Sequence, residues 1–247
     1  GLVIDGEYQS YVTTDPSTGV YLFSSVDTTA ASRLVVFIRE SDPYFGNTLT
    51  RLPSVDVAGI DIYNGTVIVR HESETSLTNA EIKTALGSYS NSGILFSVDG
   101  SNHVDINANL LIPAGMSYAP GANVLVRDHF TNAGTFTAGT NSVVLDSTAG
   151  GIVITANGSH FYDLTLNGTG GAWSIGEPLY VDHDLTVTAG TLDLGVQDLT
   201  VTADVTVNGS TGFLDLSDVD CDVDIGGNVS VSSGTLSAPA VADNASF

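Results

Sequence analysis

Asp184-Leu185-Thr186-Val187-Thr188-Ala189-Gly190-Thr191-Leu192 is the stretch whose reading decides the fold. Leu185 and Val187 alternate with Thr186 and Thr188, the period-two signature of a half-buried strand. Ala189-Gly190 interrupts the alternation with a residue that tolerates positive φ. It then resumes at Leu192/Leu194 and again at Leu199/Val201. The same pattern recurs on both sides. Asp163-Leu164-Thr165-Leu166-Asn167-Gly168 precedes it, and Asp204-Val205-Thr206-Val207-Asn208-Gly209 and Asn228-Val229-Ser230-Val231 follow it, with starts 21, 20 and 24 residues apart. A second motif, Gly190-Thr191-Leu192, returns every 22 residues as Gly212-Phe213-Leu214 and Gly234-Thr235-Leu236. Gly134-Thr135-Phe136 reads as an earlier copy.

No unit contains a ten-residue helical pattern, which excludes leucine-rich and ankyrin repeats. One unit cannot bury its apolar face alone, so units must stack. The expected fold class is all-β: a parallel β-solenoid over residues 103–247, one repeat per coil, with Leu, Val and Ile inward and Thr, Ser and Asp outward. An antiparallel sandwich also fits strands every 8 to 12 residues, but the near-constant period favours the solenoid. Val104-Asp105-Ile106, Leu110-Leu111-Ile112 and Val124-Leu125-Val126 read as its first strands, with Pro113 and Gly115 at a corner.

Residues 1–102 read as a β-rich head capping one end of the solenoid, whose open edge would otherwise pair with other chains. Strands are expected at Tyr8 to Val12, Val20 to Phe23, Leu34 to Ile38 and Ile94 to Val98. Asn64-Gly65 between Ile60-Asp61-Ile62-Tyr63 and Thr66-Val67-Ile68-Val69 predicts a hairpin. Thr78-Asn79-Ala80-Glu81 is a capping box, Ile82, Ala85 and Leu86 make an apolar stripe, and Gly87 ends it, so one short helix is expected.

The 247 residues carry 28 Asp plus Glu against six Lys plus Arg, a net charge of −22. From Asp128 onward there are fifteen acidic residues and no Lys or Arg. That argues against nucleic acid and anionic membrane surfaces as partners. Such a surface repels itself unless salt or cations screen it, which suits an extracellular, cell-surface or virion-surface location. No run of 18 apolar residues is present to cross a membrane as a helix. The first residues lack the pattern of a signal peptide, and the missing initiator Met points to processing or to a fragment. The single cysteine, Cys221, can form no intramolecular disulfide.

Gly134-Thr135-Phe136-Thr137-Ala138-Gly139, Phe161-Tyr162-Asp163-Leu164-Thr165-Leu166 and Leu185-Thr186-Val187-Thr188-Ala189-Gly190-Thr191-Leu192 carry a resemblance. Residues 130–236 resemble the Thr/Gly/Asn-rich repeats of bacterial surface β-helix proteins, the filamentous-haemagglutinin-like adhesins and autotransporter passengers. The resemblance is compositional, covers under half the chain and carries over no functional residue. It implies an extracellular stalk, fibre or adhesin.

Asp218-Val219-Asp220-Cys221-Asp222-Val223-Asp224-Ile225 places a carboxylate at every second position. On a strand, Asp218, Asp220, Asp222 and Asp224 share one face about 6.6 to 7 Å apart. Calcium, which takes six to eight oxygens, is the cofactor such a ladder would hold, with Asp215 beside it; a solvated acidic face is the alternative. The same alternation puts Cys221 inside as a core residue. Trp173 and Tyr180 are the candidate glycan-stacking residues, against a packing role at solenoid corners. Asp182-His183-Asp184 offers an acid/base group of glycosidase type, or two exposed strand residues around a histidine. A lyase-type reaction would want a Lys or Arg beside the substrate's acid group, and residues 128–247 have none. The other histidines lie without metal-ligand spacing.

The expectation is a non-catalytic structural protein, a self-assembling surface fibre, filament or virion-appendage subunit. Its partners would be its own copies or other surface proteins. An adhesin or glycan-binding module is the alternative, and a polysaccharide-degrading β-helix enzyme the third.

Overall fold

The computed structural model describes residues 1–26, 31–39, 44–52, 57–72, 75–218 and 221–238, and the backbone of 245 and 246. The chain winds a parallel β-solenoid of about nine turns. Its strands stack into three faces. The first runs from Val104–Ile106 through Val124–Val126, Ser142–Leu145, 163–166, 185–187 and 205–207 to Val229–Val231. The second contains Thr66–Val69, Asn109–Ile112, Phe130–Asn132, Ile152–Thr155, 172–175, 191–193, 213–215 and Thr235–Ser237. The third carries Leu179–Val181, Leu199–Val201, Val223–Ile225 and Ala245–Ser246 in register.

Register follows from burial. Val104, Val124, Val143, Leu164, Leu185 and Val205 form one inward row, each at 0 or 1% exposure. A one-residue slip would turn the whole row to solvent. Each such side chain contributes roughly 1.5–3 kcal/mol by leaving water, and repetition turns that into a continuous core. Thr165, Thr186 and Thr206 are register partners on the outer side of the same strands.

Polar side chains tie the corners. Asn123 Oδ1 accepts the backbone N–H of Ser142 at 3.1 Å. Asp163 Oδ1 accepts that of Asp184 at 3.3 Å, Asp184 Oδ1 that of Asp204 at 3.0 Å, and Asp204 Oδ1 that of Asn228 at 2.7 Å. These residues open the first-face strands or lie just before them. The turning backbone has no ladder partner there, so the side chain of the coil below supplies one. Asp198 does the same for Asp222 at 2.9 Å before a third-face strand. Asp163, Asp184, Asp198 and Asp204 are therefore rungs of the scaffold.

The parallel stack begins before residue 103. Gly46–Arg51 already pairs parallel with Thr66–Val69, and that strand with Asn109–Ile112; Leu77 makes a parallel bridge to Tyr118, whose strand Ser117–Tyr118 pairs parallel with Thr135–Phe136. Beyond Gly46–Arg51 the sheet turns antiparallel through Arg33–Phe37, Leu2–Ile4 and Glu7–Ser10. Phe96–Val98 closes the first face in the same antiparallel way.

The helix spans Asn79–Leu86. Thr78 Oγ1 accepts the Glu81 N–H and Glu81 Oε2 accepts the Thr78 N–H at 3.1 Å, a complete capping box. Gly87, at φ +56, ends it. Ile82 and Ala85 are buried against Leu2–Ile4, Arg33–Phe37 and Phe96–Val98, so the helix lies over the end of the core.

Two expectations for the head are corrected. Residues 60–63 form no strand, and Thr66–Val69 pairs parallel with its neighbours instead of folding into a hairpin. The Asn64-Gly65 turn exists, with Gly65 at φ +65, but it delivers the chain into the stack. Val20 to Phe23 is extended without a ladder: Tyr21 and Phe23 pack onto Leu2, Ile4, Leu34, Val36 and Leu52, while Val20 and Leu22 face solvent.

Candidate functional site

Two segments, 160–163 and 180–184, meet at one corner in adjacent coils. Phe161 and Val181 are bridge partners and both point into the core. Their neighbours in sequence must then point outward. The His160 and Tyr180 rings stack at 4.9 Å and 19°. Tyr162 and His183 stack at 4.8 Å and 8°.

Carboxylates complete the patch. His160 Nδ1 lies 2.7 Å from Asp182 Oδ1. His183 Nδ1 lies 2.7 Å from Asp163 Oδ1 and 3.5 Å from Asp184 Oδ2. Ser142 Oγ donates to Asp163 Oδ2 at 3.2 Å. The hydrogen bond that His183 donates to the Asp163 carboxylate raises the His183 pKa above the ordinary imidazole value, and the charges of Asp184, Asp163 and Asp204 add to the effect. Among the described residues, Asp163, His183 and Asp184 are the trio of titratable groups whose candidate ligand atoms all lie within 4.8 Å of one another.

The sequence triplet Asp182-His183-Asp184 is thus divided. Asp182 turns to His160, and the second carboxylate beside His183 is Asp163 of the coil below. The signal for it was present: Asp163 and Asp184 head equivalent repeats 21 residues apart.

The candidate stacking pair separates as well. Trp173 is 1% exposed, its ring packed over the Gly171 and Gly190 backbones, so it offers no face to a sugar; its reading as a stacking residue is corrected to core. Tyr180 is half-buried and stacks on His160. In the acidic stretch, Val223, Ile225 and Cys221 point inward and Asp222 and Asp224 outward, as alternation requires. Asp218 is exposed, and Asp220 lies outside the described residues. The Asp222 backbone is held by Asp198, Asp224 is the register partner of Thr200, and the Asp215 carboxylate accepts the Ser217 N–H at 3.1 Å. Asp218, Asp222 and Asp224 do not gather their oxygens into one trio.

Other polar groups link neighbouring coils. Arg127 bonds Asp105 at 3.1 and 2.9 Å and Asp146 at 2.8 Å, joining three coils. His129 Nδ1 accepts the Val153 N–H at 3.0 Å, and His71 shares a 2.9 Å hydrogen bond with Ser117 Oγ. In the head, a cleft of about 530 Å³ is lined by Tyr11, Tyr21, Phe23 and Arg39, with the Arg39 guanidinium 5.0 Å over the Tyr11 ring.

Three stacked faces around one apolar core, with a helix over one end, define the class: a parallel β-solenoid protein. Comparison with protein-family models, curated proteins and solved structures finds no match.

Proposed function

We propose that the chain is a non-catalytic structural rod of an extracellular, cell-surface or virion-surface assembly, joining its own copies into a fibre or appendage. One observation carries the reading: the two ends of the stack are unlike. The helix and the antiparallel strands close one end. At the other, Val229–Val231 and Thr235–Ser237 present strand edges onto which no further strand pairs among the described residues, and Val231 is 46% exposed. Such an edge is a template for pairing with another chain. The net charge of −22 suits a salt-screened exterior and keeps the sides of rods apart. The compositional likeness to surface β-helix repeats points the same way.

Negative-stain electron microscopy and sedimentation of the purified chain, with and without millimolar calcium, test it. End-joined rods or filaments that Val231→Lys abolishes are expected. Discrete single rods at every concentration and in both buffers overturn it.

A second reading, an adhesin, is favoured by the head. Tyr11, Tyr44 and Tyr63 are 63, 57 and 51% exposed, and Tyr11 borders the cleft. Aromatic faces stack on sugar rings. A glycan-array signal lost in Tyr11→Ala would favour that reading.

A further inference from the structure

We propose that Asp163, His183 and Asp184 form a binding site for one divalent transition-metal ion of the zinc type. The site does not depend on assembly, because all three residues come from one chain. Three features of the corner argue for it.

The donor set is suited to such an ion. One imidazole nitrogen and two carboxylates match zinc, nickel or cobalt better than calcium, which prefers oxygen alone. The spacing from the imidazole to the two carboxylates is close to what an ion needs, and all three ligand atoms lie within 4.8 Å of one another. His183 Nδ1 stands 2.7 and 3.5 Å from the two carboxylate oxygens. Ligands at about 2.0–2.2 Å from a tetrahedral ion stand roughly 3.3–3.5 Å apart, so the longer separation fits and the shorter must open slightly. The metal takes the place of the hydrogen in the Asp163–His183 bond, and that proton leaves to solvent. Water fills the remaining positions.

Each ligand also has its own orienting partner. Ser142 Oγ holds Asp163 Oδ2 at 3.2 Å. The Asp204 N–H holds Asp184 Oδ1 at 3.0 Å, leaving Oδ2 to face His183. The Tyr162 ring, parallel to His183 within 8°, holds the imidazole plane. Metal sites depend on such outer partners. The neighbouring His160–Asp182 pair has the same 2.7 Å bond but gathers no second carboxylate, so it is an internal control.

Isothermal titration of the chelator-treated full chain with zinc tests the proposal. One zinc per chain is expected, with binding lost in His183→Gln and unchanged in His160→Gln. Asp184→Asn keeps an oxygen for the Asp204 N–H, so it preserves the corner while removing the ligand charge, and it should also abolish binding. Ser142→Ala should weaken binding by about 10–100-fold. Circular dichroism of each variant verifies the fold. Absence of binding at millimolar zinc, or binding that survives His183→Gln, overturns the proposal; so does weak binding that persists in every variant, which would be diffuse counterion attraction to a chain of charge −22.

Discussion

Gly190 illustrates how a single position holds two constraints at once. It adopts φ +81, and a Cβ there would stand 2.5 Å from Trp173 Cζ3 and 2.6 Å from the Gly168 carbonyl oxygen. Gly190→Ala therefore meets both backbone strain and overpacking, and a loss of about 2–4 kcal/mol is expected in denaturant unfolding. Tyr118 makes a different demand. Its hydroxyl donates to Asn79 Oδ1, both residues are fully buried, and burial pushes the phenol pKa well above its ordinary value near 10. A raised folded-state value means stability that is complete below the unfolded pKa and lost as pH rises through and beyond it. Tyr118→Phe should thus lower stability by about 1–3 kcal/mol at neutral pH, by stranding Asn79. It should also flatten the alkaline limb of a stability–pH curve above roughly pH 10. Alternation in the sequence placed Cys221 inside correctly. It could not separate Trp173 from Tyr180, because which aromatic fills the core depends on the residues of the adjacent coils.

At the scale of elements, the helix was legible to the residue, since a capping box and a terminal glycine are local signals. Thr78→Ala should cost about 0.5–2 kcal/mol, measured by thermal unfolding, and should loosen the end of the solenoid that the helix covers. The corner ladder was legible only as punctuation. Asp163, Asp184, Asp204 and Asn228 mark the starts of repeats in the sequence, but their hydrogen bonds run to the next coil. Asp204→Asn should be tolerated, because an amide oxygen can still accept from Asn228, whereas Asp204→Ala should cost about 1 kcal/mol more. Comparing the two melting curves separates a scaffold role from a charge role. The expected hairpin at 60–69 failed for a related reason: Asn-Gly specifies a tight turn, and tertiary pairing chose the strand's partner.

For the whole molecule, one core cluster runs from Val3 in the head to Ile225 in the last coils, without a break at residue 103. Head and solenoid should therefore unfold together. Emission of the single tryptophan, Trp173, and far-ultraviolet circular dichroism should give coincident urea transitions; two separated transitions would mean that the head is an independent unit. What the sequence determined alone was the solenoid class, its period, the inward rows and the capping helix, because each is written in spacing along one chain segment. What only the tertiary structure decided was the parallel start of the stack inside the head, the pairing of His183 with Asp163 and the burial of Trp173. Those depend on contacts between residues about 20 or more positions apart, and the path of the chain around each corner sets them.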